Sequence, residues 1–245
     1  MLTTEISVCP VCGLELPAKV WWAGVVNGHR LNYKICECGS AILSPRMSDE
    51  ETLDYYRLQY RNGISEHDIA WQKFRANVHV TALKAVLKET VTLLDIGCSG
   101  GYFASVLISH VKSARTVGVD PDPQYRCYAF EYDTQADTLD LVPAQNQFSL
   151  IHMSHVLEHI NNPTEYLRNL SANYAAPDAK LLVEVPLREY NSDAYLVHHP
   201  IAFSAESLLR CVELGGWDVE NIFYHNGLKG YPLSYFGVVI AKRKA

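Results

Sequence analysis

The chain of 245 residues and 27.5 kDa has room for one full domain with an appendage, or two modest ones. Its 48% hydrophobic and 20% charged residues exclude a disordered or low-complexity chain, and no apolar stretch is long enough to cross a bilayer. A net charge of −6 gives no general attraction to nucleic acid or anionic lipid, so a nucleic-acid partner is disfavoured.

The opening MLTTEISVCP lacks the basic and apolar regions of a secretory signal, and the cytosol is the expected compartment. There, seven cysteines read as metal ligands or buried apolar groups rather than disulfides. Residues 1–45 hold Cys9 and Cys12 in CPVC and Cys36 and Cys38 in CEC, with strand-forming residues on both sides of Asn27-Gly28, a hairpin signal. Two cysteine turns joined by a hairpin describe a zinc ribbon. Cys9, Cys12, Cys36 and Cys38 would fill all four positions of a structural zinc and leave none for substrate. The second pair is C-x-C rather than C-x2-C, which keeps small buried thiols as the alternative. Three basic residues (Lys19, Arg30, Lys34) against three acidic ones (Glu5, Glu15, Glu37) argue against a phosphate-binding ribbon.

Residues 46–90 read as a helical connector. Ser48 is an N-cap before an acidic first turn, and helical segments are expected at Tyr55–Tyr60 and Trp71–Leu87. Residues 91–245 change to strand, glycine turn and helix: VTLLDIG, a helix over Tyr102–Val111, TVGVD, FSLIHM, a helix from about His155, then LLVEVP. This alternation predicts an α/β domain with a parallel sheet.

Asp95-Ile96-Gly97-Cys98-Ser99-Gly100-Gly101 follows an apolar strand and leads into a helix, where glycines let a ligand touch backbone. Asp120 ends the next strand, placed to accept hydrogen bonds from ribose hydroxyls. The loop is no phosphate grip. Ser99 stands at the second glycine of a dinucleotide fingerprint and Asp95 adds an anion, which suits a ligand carrying an ammonium. The segment resembles the first motif of class I S-adenosylmethionine-dependent methyltransferases, D-x-G-x-G-x-G, at Asp95, Gly97 and Gly101, with Ser99 as the departure. FSLIHMSHVLEHINNP is similar to that family's fourth strand and following helix, with Ser149 for the usual Asp; LLVEVP and GGWDV match later elements. The resemblance implies a Rossmann-like sheet, mostly parallel with an antiparallel last strand. It also implies cofactor contacts from Asp95, Gly97, Cys98, Ser99, Gly101, Asp120 and Pro121, from Asp137 at the adenine amino group, and from Ser154. The match runs over nearly the whole chain and is specific to methyltransferases with an N-terminal zinc-binding region.

Two histidine groups are candidates for chemistry. His155-Val156-Leu157-Glu158-His159 is also the inverted zinc-peptidase signature, in which both histidines share a metal from one helix and Glu158 is the base. Its position directly after a strand of a nucleotide-binding sheet favours packing or capping roles instead. YLVHHPIAFSAESL resembles the stretch H-E-H-x-x-x-F-S-x-x-S-L of sugar C-methyltransferases, with His199 on the proposed base, Phe203 and Ser204 on the F-S pair, and Ser207-Leu208 on S-L. His198 replaces the supporting Glu, and Tyr195 lies close by. Neutral imidazole suits removal of a hydroxyl proton near neutrality, so His199 is the expected base, with ordering of the loop before Ser204 as the plainer role.

The expected activity is methyl transfer from S-adenosylmethionine to a small molecule, with sugars or sugar nucleotides leading by resemblance and an O-methyl product ahead of C-methyl. The chain lacks an N-P-P-Y or D-P-P-Y tetrad after Leu150–Met153, which argues against methylation of nucleic-acid amino groups. Little room is expected after the strand Phe236–Ala241 for a further C-terminal domain. A ribbon-bearing interaction module that keeps the fold without catalysis is the alternative.

Overall fold

A computed structural model describes residues 2–26, 28–58, 66–122, 129–226 and 235–244. Strands β1 (Trp22–Val26) and β2 (His29–Ile35) pair antiparallel as the hairpin pattern requires, with Gly28 at φ +80°; Asn27 lies outside the described residues. β2 then pairs with β3 (Ala41–Leu43). Ser48 caps α1 (Asp49–Leu58) reciprocally: Glu51 N–H donates to Ser48 Oγ at 3.1 Å and Ser48 N–H to Glu51 Oε2 at 2.9 Å. The rest of the expected segment, 59–60, lies outside the described residues. α2 (Glu66–Leu83) begins and ends earlier than its apolar spacing indicates, because a tight turn after Leu83 closes through Val86 N–H to the Leu83 carbonyl.

The main sheet contains β4 (Thr90–Ile96), β5 (Ser113–Val119), β6 (Thr134–Ala136), β7 (Phe148–Ser154), β8 (Ala175–Pro186), β10 (Trp217–His225) and β11 (Phe236–Arg243). Its seven strands run in the order β6-β5-β4-β7-β8-β11-β10, with β11 antiparallel to both of its neighbours. Leu181, Leu182, Val183 and Val185 are fully buried, as expected of a central strand covered on both faces. α3 (Tyr102–Leu107) and α2 cover one face, where Val80 and Leu83 pack among Phe103 and Leu107. α4 (Pro163–Asn173) and α5 (Ala205–Leu214) cover the other, around fully buried Trp217.

The helix expected from about His155 does not form there. His155 takes φ +55°, only a short 3-10 turn covers Leu157–His159, and α4 starts at Pro163, whose fixed φ suits a first helical position. The two histidines of H-x-x-E-H therefore do not share one α-helical face.

The N-terminal hairpin and its cysteine turns are stitched to the main sheet. β9 (Ile201–Ala202) adds to β3 as the fourth strand of the small sheet, in the register Ala41 to Ala202 and Ile42 to Ile201. Thr164 Oγ1 donates to the Val11 carbonyl at 2.7 Å and Arg188 Nε to the Gly39 carbonyl at 2.7 Å, so both cysteine turns are anchored from the other unit. Among the described residues no helix is long and apolar enough to cross a membrane.

Candidate active site

The loop after β4 is tied to β5 before it turns. Gly97 and Cys98 N–H both donate to the Val119 carbonyl, at 2.7 and 3.1 Å. Gly97 takes φ +69°, and an added Cβ would lie 2.3 Å from Val156 Cγ2; Gly101 takes φ +76° with Phe130 Cβ 2.9 Å from such an atom. Both positions need glycine for conformation and for space. Ser99 tolerates φ +46°, and its N–H donates to Asp120 Oδ2 at 2.8 Å while Asp122 N–H donates to Oδ1 at 2.9 Å. Two backbone donors thus orient the acid that ends the second strand.

Asp95, Gly97, Cys98, Ser99, Asp120, Pro121, Asp137 and Ser154 all border one cavity of about 1180 Å³. Gly101 does not border it and instead caps α3. Side-chain-free backbone, an oriented acid and a second acid at Asp137 fit a nucleoside with a cationic tail. Asp95 is less exposed than its motif suggests: Tyr132 Oη donates to it at 2.5 Å and His152 Nδ1 lies 2.7 Å away. Burial, then the Asp95 charge, push the Tyr132 hydroxyl well above its ordinary pKa, so it remains a donor. Neither Tyr132 nor His152 was found by motif, although a histidine inside the apolar strand FSLIHM was a signal.

The cavity continues past Ser154 to His155 and His159, with Tyr56 from α1 and Trp71, Arg75 and His79 from α2 completing this end. The connector helices therefore supply wall residues that sequence reasoning did not assign to the site. His155 Nδ1 lies 3.3 Å from Glu158 Oε1, and its Nε2 lies 3.4 Å from Glu184 Oε1. Burial and Arg75 disfavour its charged form, but the two carboxylates prevail and raise its pKa. His159 is held by Tyr56 Oη, 2.6 Å from Nδ1, and by the His198 carbonyl at 3.1 Å, and burial lowers its pKa.

The structure sets Tyr195, His198 and His199 outside the cavity lining. Tyr195 stacks on Trp22 with ring centroids 5.4 Å apart, and His198 stacks on Tyr55 at 5.1 Å. His199 is buried behind His159, and Tyr33 Oη donates to its carbonyl at 2.9 Å, fixing the turn before β9. Burial pushes both imidazoles down, His198 to about 3 and His199 well below its ordinary value. Ser204 and Ser207 cap α5 reciprocally, which accounts for the S-x-x-S spacing.

At the two cysteine turns, the Sγ atoms of Cys9, Cys12, Cys36 and Cys38 all lie within 4.8 Å of one another. Cys9 and Cys38 are 3.7 Å apart and Cys12 and Cys36 are 3.5 Å apart.

The strand order, the glycine turn and the oriented Asp120 agree with the sequence family described as a methyltransferase domain, which matches residues 66–222. The chain belongs to that family. It is an S-adenosylmethionine-dependent methyltransferase. No curated protein matches its sequence. Among solved structures, the methyltransferase is similar to the Burkholderia thailandensis 1,6-didemethyltoxoflavin-N1-methyltransferase with bound 1,6-didemethyltoxoflavin and S-adenosylhomocysteine. That match has a TM-score of 0.61 and 13% identity over 91% of this chain and 99% of the other. It is also similar to the N-methyltransferase NodS from Bradyrhizobium japonicum (TM-score 0.56, 18% identity, 73% of this chain and 99% of that one). A third likeness is to an S-adenosylmethionine-dependent methyltransferase from Aquifex aeolicus (TM-score 0.52, 17% identity, 68% and 88%). At these identities the likeness carries the fold. The matched family segment begins at Glu66 and so includes α2, which the sequence reading had assigned to the connector.

Proposed function

We propose that the methyltransferase modifies a hydroxyl oxygen of a small polar molecule, with a sugar or sugar nucleotide as the leading class, and that His159 removes the hydroxyl proton. The observation that carries this reading is that His159 borders the same cavity as Asp120 while its Nδ1 faces a backbone carbonyl. We assign the ring proton to Nδ1, where the carbonyl can only accept and the Tyr56 hydroxyl oxygen, 2.6 Å away, can accept as well; Nε2, 3.9 Å from Glu158 Oε1, is then the basic atom. Burial keeps that ring neutral near neutrality, the form a base requires.

S-adenosylmethionine supplies a methyl group on a sulfonium that is already activated for transfer. Asp120 and the loop from Asp95 to Ser99 would hold it, with Asp137 and Ser154 on the same wall. The chain's remaining task is alignment and removal of one proton. Asp68, Gln72, Arg75, Asn161 and Asn162 at the acceptor end offer donors and acceptors suited to a polyhydroxylated ligand, and Arg75 suits a phosphate. His199, the ring matched by resemblance to the family's base, supports His159 from behind as a positioning residue.

We also infer that the four cysteines hold a structural zinc. A Zn–S bond of about 2.3 Å places tetrahedral sulfurs roughly 3.8 Å apart, close to the sulfur separations observed. The role is mechanical, since β3 of the ribbon braces β9 just after His199.

A panel of nucleotide sugars and glycans incubated with methyl-labelled S-adenosylmethionine tests the substrate class. Label in an O-methyl ether is the expected result. Label transferred only to nitrogen acceptors, by protein that binds the cofactor, would overturn the hydroxyl reading.

A further inference from the structure

Behind the acceptor end, three side chains from separate parts of the chain converge on one buried point. Glu184 comes from β8 with no exposed surface, His79 from α2, and His225 from the end of β10. His79 Nε2 lies 2.6 Å from Glu184 Oε2 and His225 Nε2 lies 3.2 Å from Oε1. One ligand atom of each residue lies within 4.8 Å of the other two.

The hydrogen-bond chain leading into this point fixes where the ring protons sit. Asp95 accepts from His152 Nδ1 at 2.7 Å, which in a neutral His152 ring leaves Nε2 as a lone pair. His79 Nδ1 lies 3.0 Å from that Nε2 and must donate to it. The neutral His79 ring then has no proton left for Nε2. A nitrogen lone pair consequently lies 2.6 Å from an oxygen of a carboxylate that also accepts from Ser154 Oγ at 2.8 Å and has His155 Nε2 at 3.4 Å, and a cation between His79 and Glu184 would relieve that close approach. Although close, the pair makes no aligned hydrogen bond among the described residues, so the lone pair points beside the oxygen rather than at it.

We propose that His79, His225 and Glu184 bind a divalent first-row transition-metal ion. Two imidazoles and a carboxylate are a donor set suited to iron, cobalt, manganese or zinc, and leave coordination positions open. Metal–ligand bonds of about 2.0 to 2.2 Å separate neighbouring donors by roughly 3.0 to 3.5 Å, so His79 and Glu184 need part by only about half an ångström. The outer shell is in place: His152 and Asp95 hold the far nitrogen of His79, as a second shell does for metal-bound histidine. Of the three, His79 borders the cavity, which is the side from which an acceptor would reach the ion. There a coordinated acceptor hydroxyl loses its proton more readily, a role that rests on the hydroxyl reading above, whereas the binding of metal does not.

Full-length protein stripped by chelator and titrated with Co²⁺ alone tests the site. Two ions per chain are expected. One should show the intense near-ultraviolet transition of a thiolate site, and the other only weak visible bands of a nitrogen and oxygen site. Glu184→Gln and His225→Ala should each remove the second ion or weaken it at least tenfold, and Cys12→Ser should remove only the first. A native chain whose Co²⁺ is all thiolate in character overturns the proposal, and a shared proton then bridges His79 and Glu184. Retention of the second ion by both variants overturns it as well. S-adenosylhomocysteine binding, measured by calorimetry on the same samples, reports on the methyltransferase reading separately.

Discussion

The ring centroid of His199 lies 4.6 Å from that of His159, and it is His159 that borders the cavity. The two imidazoles therefore differ in access to an acceptor. His159→Ala should lower kcat by about a hundredfold or more while leaving S-adenosylhomocysteine affinity within about twofold. His199→Ala should cost less. Steady-state kinetics beside calorimetry checks both, and a His199 variant more impaired than the His159 variant would return the base to His199.

The pH profile follows from the same burial. A base must be neutral, and burial holds His159 below the ordinary imidazole value of 6.5. The rate should rise with pH through that lowered value and be flat by neutrality, and His159→Ala should lose the rising limb. A native limb centred above neutrality would contradict this assignment.

Asp120 receives both its backbone bonds from the cofactor loop and its neighbour, so its removal affects loop and ligand together. Asp120→Ala should weaken S-adenosylhomocysteine binding at least tenfold by calorimetry. Gly97→Ala should do the same through the clash with Val156 and the positive φ, even though it removes no ligand contact.

Cys12→Ser should release one zinc per chain by elemental analysis. Because β3 pairs with β9, the loss should also reduce turnover more than cofactor affinity. Unchanged turnover in zinc-free protein would mean that the ribbon does not brace the His198-His199 turn.

Acid should destabilise the fold early. His198 and His199 are held neutral, His198 down to about 3, against an ordinary value of 6.5. Between those limits the unfolded chain binds more protons, so stability rises with pH and is lost as pH falls below about 6.5, by up to about 1.4 kcal/mol per group per unit. Denaturant melts from pH 7 to 5 check this, with His198→Phe expected to flatten the slope.

Much of the fold was legible because it is written in local chemistry. The parallel sheet follows from apolar strands such as VTLLDI and LLVEVP, the turn from glycines at positive φ, and the methyltransferase assignment from Asp95, Gly97, Gly101 and Asp120 in fixed order. The cysteine cluster was legible from spacing, since two turns need only a hairpin to meet. His155, in contrast, was expected to open a helix, because nothing in SHVLEH marks the left-handed residue that delays it to Pro163. The acceptor end was hidden for a further reason. Tyr56, Trp71 and His79 reach it from α1 and α2, His159 from the turn after β7, and Glu184 and His225 meet His79 from β8 and β10, which β11 separates, so no sequence interval encodes their meeting. By itself the sequence determined the fold and the glycine turn and Asp120 that border the cavity, because those depend on contacts between near neighbours. Only the tertiary structure decided which histidine borders the cavity and which lies buried beside it, since burial depends on how distant elements pack.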